Sequence, residues 1–545
     1  MTWWRRAVFY EIYIRSFQDS NADGIGDLNG ITNRLGYLAD LGIDAIWITP
    51  FYPSPQVDFG YDVSDYEHVD PQYGTLADFD RLVSAAHRRG IRIVVDLVLN
   101  HTSDRHPWFE SSRGSRSSPF RDWYVWRDGA AAGPPNNWES AFGGPAWTFD
   151  NATGQWYYHF FYAAQPDLNW RNPAVEARMF DVVKFWIDRG VDGFRLDAVN
   201  TLFEDPDLRD NPPLAEPKIT LTGVRTQDYR YTRGLPEMHD VLRRLRHFIN
   251  RTAPGTVLIS EAYVDDAERL LEFYGNDDEM HLPFNFLLAQ LPSLDARALR
   301  RTIADVERAF GDRWPSLVLS NHDIDRACDR YGGANADPVA KLLAMLLLTL
   351  RGTPFLYYGE ELGMRTEPPS RREDVRDPVG LTFWPRYKGR DGVRRPMPWN
   401  GDARSGFTRA APWLGLPSDA ATRNVARQRR DPSSIWRFCQ ALLERRRTSP
   451  ALRVGRLHYL TGGSAVLAFT RRHDDDERQI LLNMSDRRVV WKTAAGWRVA
   501  VATHRPAGEE MDRRSIQLAP FEGLLLEPIT GTRTPRRSSR RRRPS

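Results

Sequence analysis

Short apolar runs alternate along the chain with stretches in which apolar residues recur at helical spacing. Residues 92–97 include the consecutive apolar run 93–95, as in strands buried on both faces. Residues 75–89 have helical spacing, with Thr75 as N-cap and Gly90 as a stop. The predicted strands are residues 8–14, 45–49, 92–97, 193–197, 257–260, 282–286, 316–319 and 353–356, with helices such as 31–41, 174–188 and 237–251 between them. Eight repeated βα units predict an α/β protein with a (β/α)8 TIM barrel.

Two long departures from this pattern indicate further parts. Residues 102–171 are rich in Trp, Pro, Gly and Asn, and an excursion of that length after the third strand favours an inserted domain. We expect the barrel to comprise residues 1–101 and 172–452, with a long loop region at 361–431 after the eighth strand. Short alternating runs at 457–460, 465–470, 479–483 and 488–491 predict a C-terminal antiparallel β-domain at 453–530.

Charge and composition limit the possible partners. The formal net charge is +4, but residues 533–545 contain seven Arg and no acid, so the rest of the chain is slightly acidic and does not favour nucleic acid. Residues 531–545 are predicted to be a disordered basic tail. The two cysteines cannot build a disulfide framework, and no apolar run is long enough for a membrane span. We expect a cytoplasmic monomer or homodimer that acts on small molecules.

The predicted barrel strands end in polar side chains, at the face where barrels carry their active sites. Arg195 and Asp197 are two apart on one strand, so their side chains point the same way. The carboxylates among these positions favour an active site over a structural role. The strand ends are Asp96, Asn100 and His101 after the third strand, Arg195, Asp197 and Asn200 after the fourth, Glu261 and Tyr263 after the fifth, and Asn321, His322 and Asp323 after the seventh.

In this order the motifs resemble the α-amylase family of glycoside hydrolases, family 13, over nearly the whole chain. The resemblance implies that Asp197 is the nucleophile, Glu261 the general acid/base, and Asp323 a residue that stabilises the transition state. It also places His101, Arg195 and His322 around the first sugar. Such chemistry needs an ionised carboxylate and a protonated acid, about 5–5.5 Å apart in a retaining enzyme. Arg195 would keep Asp197 ionised, whereas Glu261 needs a raised pKa.

Further positions resemble the α-glucosidase and oligo-1,6-glucosidase branch of that family. Tyr61 and Asp62 resemble the Tyr and Asp that close the sugar pocket, and Arg390 resembles the arginine that pairs with that Asp. The stretch Gln-Pro-Asp-Leu-Asn at 165–169 is similar to one in the same branch. Together these positions imply a pocket closed at one end, and hence an exo-acting enzyme.

The segment after the first strand has oxygen-bearing side chains at alternate positions. This pattern suits a hard cation, and it resembles the metal loop of the same branch. We expect one structural Ca²⁺ or Mg²⁺ and no organic cofactor. The expected metal positions are Asp19, Asn21, Asp23, Ile25 and Asp27.

The position after the nucleophile bears on linkage. Ala198 stands where relatives that prefer α-1,6 bonds resemble one another in having Val. We therefore expect a retaining, exo-acting α-glucosidase for short maltose-type α-1,4 oligosaccharides, with sucrose as a further candidate and with capacity for transglucosylation.

Two alternatives remain open. Trehalose synthase, an isomerase of the same family, typically has Pro where this chain has Asn200, and a different context after Glu261. Non-enzymatic transporter-associated proteins share the barrel, but usually lack the carboxylates and carry a membrane span.

Overall fold

A computed structural model describes residues 2–130, 133–220, 223–460, 463–492, 496–511 and 515–529. The predicted tail at 531–545 lies outside the described residues. The helices are α1 Ile14–Phe17, α2 Leu28–Leu41, α3 Leu76–His87, α4 Pro107–Gly114, α5 Pro173–Asp188, α6 Glu237–Thr252, α7 Ala267–Glu272, α8 Ala296–Phe310, α9 Ala327–Gly332, α10 Ala336–Thr349, α11 Pro378–Phe383, α12 Val425–Gln428, α13 Ile435–Thr448 and α14 Pro450–Val454. The strands are β1 Phe9–Ile12, β2 Ala45–Ile48, β3 Arg92–Val98, β4 Trp126–Arg127, β5 Trp147–Asp150, β6 Gln155–Tyr158, β7 Gly193–Asp197, β8 Pro213–Thr220, β9 Gly223–Gln227, β10 Val257–Ser260, β11 Leu282–Pro283, β12 Ser316–Val318, β13 Thr353–Tyr357, β14 Arg456–Tyr459, β15 Val466–His473, β16 Asp476–Asn483, β17 Val489–Lys492, β18 Trp497–Ala502, β19 Glu510–Met511, β20 Ser515–Leu518 and β21 Gly523–Pro528.

Eight parallel strands form the barrel that the sequence predicts. Their order in the sheet is β11-β10-β7-β3-β2-β1-β13-β12, and each neighbouring pair is parallel. The two end strands meet through a side chain, because Ser316 Oγ donates to Pro283 O at 2.7 Å and accepts from Asn285 N at 2.9 Å. The predicted fold class is confirmed.

Several helices around the barrel begin at polar caps and bury one face. The Thr75 and Asp78 side chains form a capping box at the start of α3, and the Asp295 side chain caps α8. The apolar residues of β2, β10 and β13 are fully or almost fully buried, which explains their unbroken apolar runs.

The inserted region and the C-terminal region are antiparallel. Strands β4, β6 and β5 form a small sheet, and isolated bridges from His101 to Asp167 and from Tyr124 to Leu168 connect its flanks. After α14 a six-stranded sheet has the order β14-β15-β16-β21-β18-β19, and β17 pairs with β20. The domain boundaries proposed from the sequence stay predictions.

Several elements differ from the expectation, among them β11, which ends at Pro283 rather than at residue 286. The first strand ends at Ile12 rather than residue 14, because the chain turns there into α1 and Ile14 N donates to Thr49 Oγ1. The antiparallel hairpin β8–β9 had no counterpart in the sequence prediction. Most β8 side chains are exposed, so the hairpin lacks the apolar run that marks the barrel strands. No helix within the described residues is long and apolar enough to cross a membrane.

Candidate active site

A cavity of about 1260 Å³ opens at the C-terminal ends of the barrel strands. Asp197 ends β7, Glu261 follows β10 directly, and Asp323 lies on the loop after β12. The chain leaves β7 through Ala198, whose backbone has φ 42°, in the left-handed region. The sequence-predicted residues that line this cavity are Tyr61, His101, Asp197, Ala198, Glu261, Asp323 and Arg390.

Arg195 joins the carboxylates at the base of this cavity. Its guanidinium is fully buried, and Nη1 donates to Asp197 Oδ1 at 2.7 Å and to Asp96 Oδ1 at 2.8 Å. Its Nη2 lies 2.7 Å from Glu261 Oε2, in an ion-pair contact. One arginine therefore contacts both carboxylates that the sequence singled out as a catalytic pair.

The two acids differ in how well their charged forms are stabilised. Burial raises the pKa of both Asp197 and Glu261 to about 7, and Arg195 opposes the shift at each. Asp197 accepts a hydrogen bond from Arg195, whereas Glu261 Oε1 has no hydrogen-bond partner among the described residues. Because a hydrogen bond stabilises a charged carboxylate, the bond from Arg195 Nη1 favours the ionised form of Asp197.

Asp323 has the opposite electrostatic surroundings. Its Oδ1 lies 2.7 Å from Arg394 Nη2 and 3.2 Å from Arg390 Nη1, and its Oδ2 lies 3.3 Å from His322 Nε2. Burial opposes ionisation, but His322 and the two guanidinium groups hold the pKa of Asp323 well below its usual value. Asp323 is therefore ionised at neutral pH, and its charge helps to raise the pKa of Glu261.

His101 is held by the inserted region. Its Nε2 lies 3.0 Å from Tyr61 O and 3.0 Å from Gln165 Nε2, and burial lowers its pKa to about 4. Gln165 also donates to Asp58 Oδ2 at 3.3 Å. Gln165 thus lies behind the cavity wall and contacts two residues that line it, His101 and Asp58.

The predicted pairing of Arg390 with Asp62 is wrong, because Asp58 takes that place. Arg390 Nη2 donates to Asp58 Oδ1 at 2.7 Å and to Asp377 Oδ1 at 2.8 Å. Asp62 is fully buried outside the cavity lining, where it accepts from the backbone N–H groups of Val57 and Asp58, each at 2.9 Å. Asp62 holds the turn, and the turn presents Asp58 to the cavity. Both acids flank the Gly60–Tyr61 turn, so the sequence alone did not separate their roles.

Comparison with known proteins agrees with this geometry. The family model described as alpha amylase, catalytic domain, matches residues 11–455. A curated protein of Rhizobium meliloti (strain 1021), named probable alpha-glucosidase, is 45% identical over 497 residues, which cover 89% of this chain and 90% of that protein.

The chain belongs to the α-amylase family. Two solved structures show the same fold at full length. The alpha-glucosyl transfer enzyme XgtA is 41% identical with TM-score 0.90, covering 97% of this chain and 100% of that one. The trehalulose synthase MutB from Pseudomonas mesoacidophila MX-45 is 35% identical with TM-score 0.89, covering 97% of this chain and 99% of that one. The predicted family, its α-glucosidase branch and the enzyme class are confirmed.

Sequence reasoning missed part of the cavity of this α-amylase family member. The hairpin β8–β9 lines its outer side through Lys218, Ile219 and Arg225, and Phe142 of the inserted region lies under the Arg390 guanidinium at 5.5 Å. Arg233 contacts the backbone O of Tyr263 beside Glu261. The mostly exposed hairpin gave no hydrophobic signal.

The predicted metal loop has a suitable oxygen-only donor set, but its acids are engaged by the loop itself. Asp19 accepts from the N–H groups of Asn21, Ala22 and Gly24, and Asp27 accepts from Ser20 and Gly30. Within the described residues no three acidic, His or Cys side chains are grouped so that they could hold a metal ion. The ion at residues 19–27 stays a prediction, and it has no part in the proposed catalysis.

Proposed function

We propose that the chain is a retaining, exo-acting α-glucosidase in which Asp197 is the nucleophile and Glu261 the general acid/base. The observation that carries this proposal is the Arg195 guanidinium, which contacts both carboxylates at the base of the cavity. Its hydrogen bond favours the charged form of Asp197 and leaves the proton on Glu261, as the two roles require.

The proposed reaction has two steps. Asp197 attacks the anomeric carbon while Glu261 donates its proton to the departing glycosidic oxygen, which gives a glucosyl-enzyme and a free aglycone. Glu261, now a carboxylate, takes a proton from water, and that water cleaves the ester and regenerates Asp197. The ionised Asp323 lies where its charge can oppose the positive charge that develops on the sugar in both steps.

The exo mode is supported by the closed end of the cavity. Asp58 and Arg390 form a buried ion pair there, and Gln165 contacts both Asp58 and His101. Fixed donors and acceptors at a closed end suit the hydroxyl groups of one terminal glucose. Beyond it, the cavity is much larger than one sugar and has the hairpin β8–β9 as its outer wall.

Linkage preference rests on Ala198, which lines the cavity beside the nucleophile. Its small side chain leaves room next to the reacting centre, and we propose a preference for maltose-type α-1,4 bonds, with sucrose as a further substrate. Kinetics on p-nitrophenyl α-glucoside, maltose, isomaltose and sucrose, with NMR of the first product anomer, test these proposals. An initial β-glucose product would contradict the retaining mechanism, and a preference for isomaltose would contradict the linkage.

Glucosyl transfer is the second candidate activity. The same glucosyl-enzyme can pass its sugar to another hydroxyl group, and the similar XgtA is described as an alpha-glucosyl transfer enzyme. Disaccharide isomerisation, the alternative raised by trehalose synthase, is the special case in which the leaving sugar is the acceptor, and the similarity to trehalulose synthase favours testing it. The ratio of transfer product to free glucose, measured with sucrose and then with added glycerol, separates these outcomes.

A further inference from the structure

A buried acid behind the active site has no part in the reaction described above. Glu11 lies near the end of β1 with 2% of its surface exposed. Its Oε1 lies 2.5 Å from His322 Nδ1 and 3.3 Å from the backbone N of His322. At 2.5 Å, one hydrogen is shared between the carboxyl group and the ring.

The other ring nitrogen of His322 faces the active site. His322 Nε2 lies 2.8 Å from the Tyr61 hydroxyl and 3.3 Å from Asp323 Oδ2. The His322 ring also stacks on the Tyr61 ring, with centroids 5.5 Å apart and planes 12° apart. The His322 ring is thus held by contacts at both nitrogens and by stacking on one face.

Counting hydrogens identifies the tautomer. The Tyr61 hydroxyl group has one hydrogen to donate. Its oxygen lies 3.0 Å from Oδ2 of Asp96, whose carboxylate is paired with Arg195. If Tyr61 donates to Asp96, it cannot also donate to His322, so His322 Nε2 must carry a hydrogen itself. The ionised Asp323 beside Nε2 can only accept a hydrogen bond, so it also requires a hydrogen on Nε2.

Two charge states of the pair meet this demand, and burial lowers the pKa of His322 well below its usual value, which favours the state with a neutral ring. Either protonated Glu11 donates to Nδ1 of a neutral ring, or an imidazolium donates to the Glu11 carboxylate. Both contain the same number of hydrogens and both leave Nε2–H facing the cavity. The charged or titratable groups around Glu11 are His322, Arg195, Asp323, Asp96 and Tyr357.

We propose that Glu11 is a positioning residue, which holds the hydrogen at Nδ1 so that His322 presents Nε2–H to Asp323 and to a hydroxyl group of the bound sugar. This inference rests on the proposed glucosidase function. Burial raises the pKa of Glu11 well above its usual value, although Arg195 opposes the shift, which favours retention of the shared hydrogen at neutral pH. Without Glu11, the ring can turn or take the other tautomer.

The test uses two replacements of Glu11. Glu11→Gln keeps an N–H group that can donate to Nδ1, so this variant should retain most of the kcat/KM for p-nitrophenyl α-glucoside. Glu11→Leu fills the space without a donor and should lower kcat/KM on the order of 10- to 100-fold, the usual effect of losing a buried orienting partner. Equal losses in the two variants would overturn the proposal. If Glu11→Leu does not fold, a loss on the order of 10-fold or more in folded Glu11→Gln, which is nearly isosteric and keeps the donor, would overturn it instead.

A double-mutant cycle separates orientation of His322 from general stability. If Glu11 acts through His322, then adding Glu11→Leu to His322→Asn should change kcat/KM by no more than about twofold. Glu361→Leu is the matched control, since Glu361 is also a buried acid near the end of a barrel strand but bonds to Tyr10 and Tyr37. Its effect should add to that of His322→Asn. Additive losses for Glu11 would refute the inference, whereas an inactive wild-type enzyme would refute the proposed function instead.

Discussion

Replacing Asp58 by Asn should weaken the enzyme far more than it weakens the fold. The Asp58 carboxylate lies against Arg390 at 2.7 Å, with 5% of its side chain exposed. Arg390 keeps its contacts to Asp377 at 2.8 and 2.9 Å, so the guanidinium stays compensated in the variant and Tm should fall by only a few degrees. A charge-assisted hydrogen bond to a sugar hydroxyl contributes about 1.5–3 kcal/mol, so kcat/KM should fall about 10- to 150-fold.

Asp62→Asn, in the same turn, is the matched comparison. Asp62 accepts two backbone N–H groups and does not line the cavity. Its loss should appear mainly as about 1–3 kcal/mol of stability, with a smaller effect on turnover. The assay is kcat/KM for p-nitrophenyl α-glucoside at a temperature well below Tm, together with a thermal melt of each variant. A large kinetic loss confined to Asp62→Asn, with Asp58→Asn near wild type, would refute the assignment of Asp58 to the sugar pocket.

Three further predictions address linkage, pH and metal. Ala198→Val should lower the ratio of kcat/KM for maltose to kcat/KM for isomaltose by about 10- to 200-fold. A β-branched residue at φ 42° can reduce the amount of folded enzyme, but this lowers both values equally and leaves their ratio unaffected. An unchanged ratio would contradict the role of Ala198. The pH profile of kcat/KM should be bell-shaped around neutrality, because Asp197 must be ionised and Glu261 protonated. Glu261→Gln, assayed on a substrate whose leaving group needs no proton, should lose the decrease in kcat/KM at alkaline pH. If that decrease remains, a group other than Glu261 causes it. If residues 19–27 bind an ion, a chelator should lower Tm while activity at moderate temperature changes little. If Tm does not change with chelator or with added Ca²⁺ or Mg²⁺, the loop is held by its own hydrogen bonds without an ion.

The sequence predicted most of the barrel because buried parallel strands leave a strong local pattern. Residues 193–197 and 257–260 have the predicted bounds as β7 and β10, and polar residues at their ends mark the cavity. Contacts between residues far apart in the sequence were harder to predict. Asp58 and Asp62 are both acids in one turn, and only the three-dimensional path shows which reaches Arg390.

Other parts of the site left no readable signal. The hairpin β8–β9 is mostly exposed, so neither a buried run nor a clean alternation marked it. Glu11 looks in the sequence like any polar residue at the end of a strand, and its contact with His322 joins residues 311 positions apart. Such contacts depend on barrel closure, which places the first strand beside the loop after β12.

Trapping the glucosyl-enzyme tests the central claim most directly. The wild-type protein would be incubated with 5-fluoro-α-glucosyl fluoride, digested, and analysed by mass spectrometry. The mechanism predicts one hexosyl adduct on the peptide that contains Asp197, formed as activity is lost, and no adduct in Asp197→Asn. A hydrolase that turns over α-glucosides yet yields no adduct, or carries it on another residue, would contradict the assignment of Asp197 as the nucleophile.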